Sequence, residues 1–217
     1  MSISRNSLIQ WLMFIAFIVL FIWTQALADA RSDAKQALET TINKVVELIK
    51  QPGFRQKDTN EAFVNKAEEY IKEIFDFNEF SARTLGSIWK EFTPEEKIEF
   101  NNAFAALLRN TYLDKIDEYR GEKVNYLGEI ASSKGDKIEV QTAINSENKN
   151  VLINYLMLKK DSWKVYDIIV EGVSLVQNYR SQFRELIQKG MTPKELTQKV
   201  YEQAKKVKEA NNKKNIS

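Results

Sequence analysis

The sequence predicts an α+β protein: helices first, then a curved antiparallel sheet of four strands or slightly more, then helices closing over it. Three observations carry that reading. Apolar residues recur at helical spacing from residue 30 to about residue 119, and then the pattern switches to strand-like runs. The stretches between those runs, "SSKGD", "NSENKN" and "KKDS", are too short for parallel crossovers, so neighbouring strands pair antiparallel. Two Thr-Pro-x-Glu starts, at Thr93 and Thr192, open helices on either side of the strand-rich half.

In chain order, the first helix spans about residues 30–49, with Ala34, Leu38, Val45 and Leu48 or Ile49 on one face. Pro52-Gly53 stops it. A second helix runs from about Glu61 to Phe75, with Phe63, Ala67, Tyr70, Ile71 and Ile74 inward. The short third segment, "FNEFSARTLGSIWKEF", carries Phe77, Phe80, Leu85, Ile88, Trp89 and Phe92. Thr93 caps a long helix from Pro94 to about Tyr119, with Phe100, Phe104, Leu107, Leu108 and Tyr112 as its stripe, and Gly121 ends it. "KVNYLGEIA", "DKIEVQTAI", "VLINYLMLK" and "SWKVYDIIVEGV" then read as strands.

In the last of these, alternation places Trp163, Val165, Asp167, Ile169, Glu171 and Val173 on one face, and Gly172 allows close backbone approach or a bend where the strand gives way to the helix. Ser174 caps a helix from Leu175 to Lys189, Gly190 stops it, and Thr192 caps the final helix. The domain is expected to end near residue 207, with residues 208–217 as a basic, disordered tail.

Composition narrows the chemistry. The 217 residues contain no Cys and no His, which removes disulfides, thiol chemistry, imidazole acid–base work and nearly every zinc site. With 32 basic and 30 acidic residues, the chain lacks the charge excess of a nucleic-acid binder. At the N-terminus, Arg5 precedes an apolar run from Trp11 to Trp23, and Ala26-Leu27-Ala28 supplies a small-x-small cleavage site. A secretory signal is therefore expected over residues 1–28, cut near Ala28/Asp29, with the mature protein in the periplasm. An uncleaved anchor is the alternative, because Leu8 and Ile9 extend the run. No Cys stands near the cleavage site, so it is not a lipoprotein signal.

Aromatic placement raises the question of a cavity. Phe75, Phe77, Phe80, Trp89, Phe92, Phe100, Phe104 and Tyr112 crowd into about forty residues of helix, opposite strands offering Tyr126, Ile153, Tyr155, Val165, Ile169 and Val173. Such walls either interdigitate or arch over a space, and periodicity alone does not separate the two. Asp167 and Glu171 are the candidates for carboxylate catalysis. Along a strand they stand about 13 Å apart, too far to share one site, so hydrogen bonding to backbone or Arg is the expected role.

The stretch "WKVYDIIVEGVSLVQNYRSQF" resembles the signature of the MlaC family, the toluene-tolerance auxiliary family of periplasmic phospholipid-binding proteins. The matching residues are Trp163, Tyr166-Asp167, Glu171-Gly172-Val173-Ser174 and Asn178-Tyr179-Arg180 with Phe183. Leu85-Gly86-x-x-Trp89, and the Pro94/Glu95 helix leading to Phe100, Phe104 and Thr111-Tyr112, resemble the family as well. The basic tail beyond Val207 and the "NSENKN" hairpin are not family markers.

The resemblance implies a fold in part like NTF2-type cones, with a deep apolar pocket for acyl chains and no catalytic residue, cofactor or metal. It implies a soluble shuttle, a single domain over residues 29–207, acting in an ABC-transporter (Mla-type) system that maintains outer-membrane lipid asymmetry. The implied partners are an inner-membrane MCE-domain protein of the transporter and an outer-membrane lipoprotein–porin complex. A monomer is expected.

The lining is expected from Phe80, Leu85, Ile88, Phe104, Leu108, Tyr112, Tyr155, Val173, Val176 and Tyr179. Arg83, Lys90 and Arg180 are the candidates for headgroup contact. Two other functions fit the same residues: a periplasmic adaptor whose apolar groove takes a partner helix, and an NTF2-like enzyme using Asp167 or Glu171.

Overall fold

The computed structural model describes residues 29–54, 60–112, 119, 121–145 and 150–214. The expected signal segment, residues 1–28, lies outside them. Among the described residues the chain forms six α-helices, one 3-10 helix and a five-stranded sheet. Helix α1 covers residues 29–49. It is followed by α2 (Asn60–Ile74), α3 (Phe77–Leu85), the 3-10 helix Gly86–Glu91 and α4 (Pro94–Tyr112). The strands are β1 (Lys123–Ala131), β2 (Lys137–Asn145), β3 (Asn150–Lys159), β4 (Trp163–Val170) and β5 (Val173–Ser174), and α5 (Leu175–Gln188) and α6 (Pro193–Lys214) close the fold. No described helix is long and apolar enough to cross a membrane.

Local chemistry sets the helix starts. Thr93 and Glu96 form a reciprocal capping box, with Glu96 N donating to Thr93 Oγ1 at 3.2 Å and Thr93 N to Glu96 Oε2 at 2.9 Å. Thr192 and Glu195 repeat it at 3.3 and 2.8 Å. Asp76 caps α3 through the Glu79 N–H at 2.9 Å, and Ser174 caps α5 through the Gln177 N–H at 3.0 Å.

The sheet runs in sequence order, β1-β2-β3-β4-β5, every neighbour antiparallel. Helix α1 lies on one face, where Ala34 and Leu38 bury against Ile138, Val140, Met157, Trp163 and Val165. A second cluster, built by α3 to α6, centres on Phe80, Phe100, Phe104, Tyr179 and Phe183. Phe75 packs against both clusters, and its backbone forms a parallel bridge with Val165. With Asp76 N donating to Val165 O at 2.8 Å, the α2–α3 junction covers the part of the β4 edge that the short β5 leaves unpaired.

Four details differ from the sequence reading. The last strand does not continue through Val173. Glu171 (φ 49°) and Gly172 (φ 80°) both take positive φ and turn the chain back, so that Val173 pairs with Val170 and Ser174 with Ile169. Nor does β4 alternate without interruption. Met157 pairs with Val165 and Leu156 with Asp167, which leaves Tyr166 as the extra residue of a bulge. Beyond it Ile168, not Asp167, joins Val165 in the cluster under α1.

Helix α4 is described as far as Tyr112; residues 113–118 lie outside the described set and Tyr119 is not helical. The segment expected to be disordered from residue 208 is instead helical to Lys214. It is held there by Asn211 Nδ2 donating to Asn110 O at 2.7 Å, while Asn110 Nδ2 donates to Ala204 O at 2.8 Å.

Candidate functional site

Seven of the ten expected lining residues meet in one place. Phe80, Leu85, Phe104, Val176 and Tyr179 are buried members of the helical cluster, and Ile88 and Leu108 pack against it half-buried. The assembly follows from the helix stripes: Phe80 and Leu85 come from α3, Phe104 and Leu108 from α4, Val176 and Tyr179 from α5.

Phe104 is the hub. Its ring centroid lies 5.2 Å from Phe80, 5.6 Å from Phe100, 4.9 Å from Tyr179 and 5.3 Å from Phe183. The two contacts to α5 are edge-on, the arrangement that aromatic quadrupoles favour. The rings therefore interdigitate. Sequence reasoning omitted Phe100 and Phe183 from the lining; the four-residue step from Tyr179 to Phe183 is the signal that places both on one face of α5.

The other three residues stand apart from that centre. Tyr155 belongs to the sheet cluster under α1, where burial pushes its hydroxyl up to about 12. Tyr112 is 44 % exposed at the end of α4, and Val173 is 57 % exposed because the Glu171-Gly172 turn carries it outward. Tyr179 is only 6 % exposed, and burial, reinforced by Tyr112, holds its proton well beyond the usual phenol range.

The cation candidates differ from one another. Arg83 is committed: it pairs with Glu79 at 2.6 Å and lies over the Tyr166 ring, 4.1 Å from its centroid. Arg180 is exposed on α5 and passes close over Gly86, while Lys90 is exposed on the 3-10 helix; neither forms an ion pair among the described residues.

Both carboxylates singled out in β4 and its turn bind backbone. Asp167, 5 % exposed, accepts from Ile168 N (2.8 Å), Val176 N (3.0 Å) and Ser174 Oγ (2.6 Å). Glu171 Oε1 accepts from Leu152 N at 2.6 Å. Together they fix the corner between β4 and α5 to the sheet.

A separate open cleft of about 470 Å³ lies between α1, the end of α2 and the β3–β4 turn, with Asp33, Lys44, Glu73, Lys159 and Trp163 among its walls. None of the ten expected lining residues borders it.

Comparison with known proteins agrees with this geometry. A structure of a phospholipid-binding protein from Ralstonia solanacearum, solved in complex with a phospholipid, superposes with a TM-score of 0.74 at 26% identity, over 81% of this chain and 98% of that one. The Haemophilus influenzae intermembrane phospholipid transport system binding protein MlaC is 26% identical over 106 residues, 45% of this chain. That match spans about half of the relative's length, 48%. The model of the MlaC protein family matches residues 39–202, which take in most of both packed clusters and the corner between β4 and α5, and this chain belongs to that family.

Proposed function

We propose that the protein is a soluble periplasmic phospholipid carrier, exported with a signal cut near Ala28/Asp29, that holds acyl chains within the aromatic cluster of α3, α4 and α5. The observation that supports this most is the likeness of nearly the whole Ralstonia solanacearum phospholipid-binding protein to the described fold, at a TM-score of 0.74. In this reading the lining centres on Phe80, Leu85, Ile88, Phe104, Leu108, Val176 and Tyr179, and Tyr112, Tyr155 and Val173 extend it beyond that cluster. Arg180 and Lys90, which have no acidic partner among the described residues, are the cations left to meet a headgroup.

The physical case is one of transfer free energy. Each methylene exposed to water costs about 0.8 kcal/mol, so a sixteen-carbon chain costs roughly 12 kcal/mol outside a bilayer. A site lined by Phe, Leu, Val and Tyr removes most of that cost without a nucleophile or cofactor. Because pocket and bilayer are similarly apolar, transfer between them is nearly balanced, and direction comes from partners. Those partners are the inner-membrane MCE-domain protein of an ABC transporter and an outer-membrane lipoprotein–porin complex, acting together to maintain outer-membrane lipid asymmetry. With the rings in contact, an arriving chain takes its place by spreading α4 from α5 around Phe104.

The test is extraction of the native protein with organic solvent, followed by mass spectrometry. Stoichiometric phospholipid is expected. Protein that stays free of lipid, both as isolated and after incubation with phospholipid vesicles, would overturn the proposal.

A further inference from the structure

Helix α6 carries seven lysines and three glutamates, although the chain as a whole is only +2, so positive charge is gathered on this one element. Six of those lysines divide into two sets. Lys199, Lys206 and Lys213 each follow a glutamate by four residues (Glu195, Glu202 and Glu209), the order and spacing that stabilise a solvated helix. Lys194, Lys205 and Lys208 lie on a different face. With Tyr201 and Asn212 they stand at steps of seven, four, three and four, which puts all five on one side of the helix with none of its glutamates among them. All five are exposed, Tyr201 to 42 %. Lys205 reaches Glu209 at the border of this face, but at 4.0 Å and in solvent the pair is weak. Lys194 and Lys208 form no ion pair among the described residues.

The face is held in a fixed position. Leu196, Val200 and Ala204 bury the adjoining side of α6 in the helical cluster. The hydrogen bonds that Asn110 makes to Ala204 O and receives from Asn211 clamp α6 to α4 on either side of Lys205 and Lys208. At 1.5 Å per residue the row from Lys194 to Asn212 is about 27 Å long. A protein interface gathers its affinity around buried anchors in pockets. This row instead offers cations spread along the outside of one helix, and a tyrosine, whose apolar ring and polar tip suit the surface of a bilayer. An extended plane of negative charge meets all of them at once. Lys205 and Lys208 also lie beyond residues 39–202, the stretch that the family model matches, so the family resemblance does not account for them.

With the carrier reading as the ground for choosing a membrane, we infer that the Lys194–Tyr201–Lys205–Lys208 face of α6 docks on the surface of an anionic bilayer. The attraction is between its ammonium groups and lipid phosphates that carry net charge, as in phosphatidylglycerol, and it keeps the carrier at the bilayer it loads from or delivers to.

The experiment is sedimentation of the chain from Asp29 onward with vesicles of phosphatidylcholine alone and of an equal mixture with phosphatidylglycerol. Three lysines at about fivefold each predict roughly hundredfold tighter binding to the anionic vesicles at low salt, lost by about 0.5 M salt. Replacing Lys194, Lys205 and Lys208 together by Gln is expected to remove most of that preference and leave the thermal midpoint within error. Replacing Lys199, Lys206 and Lys213 by Gln removes the same charge from the other flank and is expected to keep most of it. No preference of the native protein for anionic vesicles, or equal losses in the two triple variants, overturns the inference. Solvent extraction of the same preparations keeps the two readings apart. Native protein that sediments with anionic vesicles yet takes up no phospholipid overturns carriage and leaves the docking face standing; lipid-loaded protein without vesicle preference does the reverse.

Discussion

Ser174 Oγ donates to Asp167 Oδ2 at 2.6 Å across the turn that joins β4 to α5. The same hydroxyl oxygen accepts from Gln177 N at 3.0 Å, and the other carboxylate oxygen takes the Val176 N–H. One buried side chain thus closes the first turn of α5 onto the sheet. Replacing Asp167 by Ala leaves those donors unpaired and is expected to cost about 2–4 kcal/mol. Urea unfolding measures it; a midpoint unchanged within error would show that the corner holds without the carboxylate.

Val173→Arg separates binding from folding. Val173 is mostly exposed, so the substitution is expected to alter stability by no more than about 0.5 kcal/mol. On the carrier reading it nevertheless abolishes lipid retention, since a charge at the lining opposes an acyl chain. The readouts are a thermal melt and solvent extraction on one preparation. Retained lipid would remove Val173 from the lining.

Gly86 ends α3 at φ 62°, ψ −129°, its N–H donating to Ala82 O. A Cβ there would stand 3.6 Å from a terminal nitrogen of Arg180, an ordinary contact, so the cost of Gly86→Ala is conformational rather than steric. About 1–3 kcal/mol of destabilisation is expected, with little dependence on ionic strength. A loss that shrinks steeply as salt is added would assign the role to the Arg180 charge instead.

Alkaline pH is expected to weaken the fold. Tyr155 is raised from 10 to about 12 by burial, and burial raises Tyr126 and Tyr179 as well. The unfolded chain loses these protons near pH 10, before the folded one does, so the stabilisation from keeping them neutral is complete below pH 10 and lost as pH rises toward 12. Urea midpoints collected from pH 8 to pH 11.5 should stay level at first and fall above about pH 10. Replacing Tyr155 by Phe should shallow that fall.

What the sequence reveals depends on how local each determinant is. The two Thr-x-x-Glu boxes and the Ser174 cap lie within four residues of the groups they bind, and all three are legible from spacing alone. The stripe from Phe80 through Phe104 to Tyr179 is legible for the same reason, since each helix presents its own face. The bend at Gly172 is legible from the glycine, but the full reversal that begins at Glu171 is not. Glu seldom adopts positive φ, and the apolar pattern continues past it; the conformation is held by Leu152, whose N–H reaches the Glu171 carboxylate and whose carbonyl accepts the Glu171 N–H at 2.9 Å. The bulge at Tyr166 is equally hidden, because register between β3 and β4 decides it. Val173 and Asp167 therefore sit differently from the alternation read along a single strand. Tyr155 faces α1 for a related reason: which side of a two-sided strand meets which helix is a property of the assembled sheet.

Phe75 joins the two packed clusters through its ring and the sheet through its backbone bridge to Val165. Cooperativity follows from that sharing. Exposing either cluster strips contacts from the other, so the slowest-exchanging amides of β2 and of α4 should report one common opening rather than two. Truncating Phe75 would then split a single unfolding transition into two, and the protein would acquire a partly melted state that the native chain avoids.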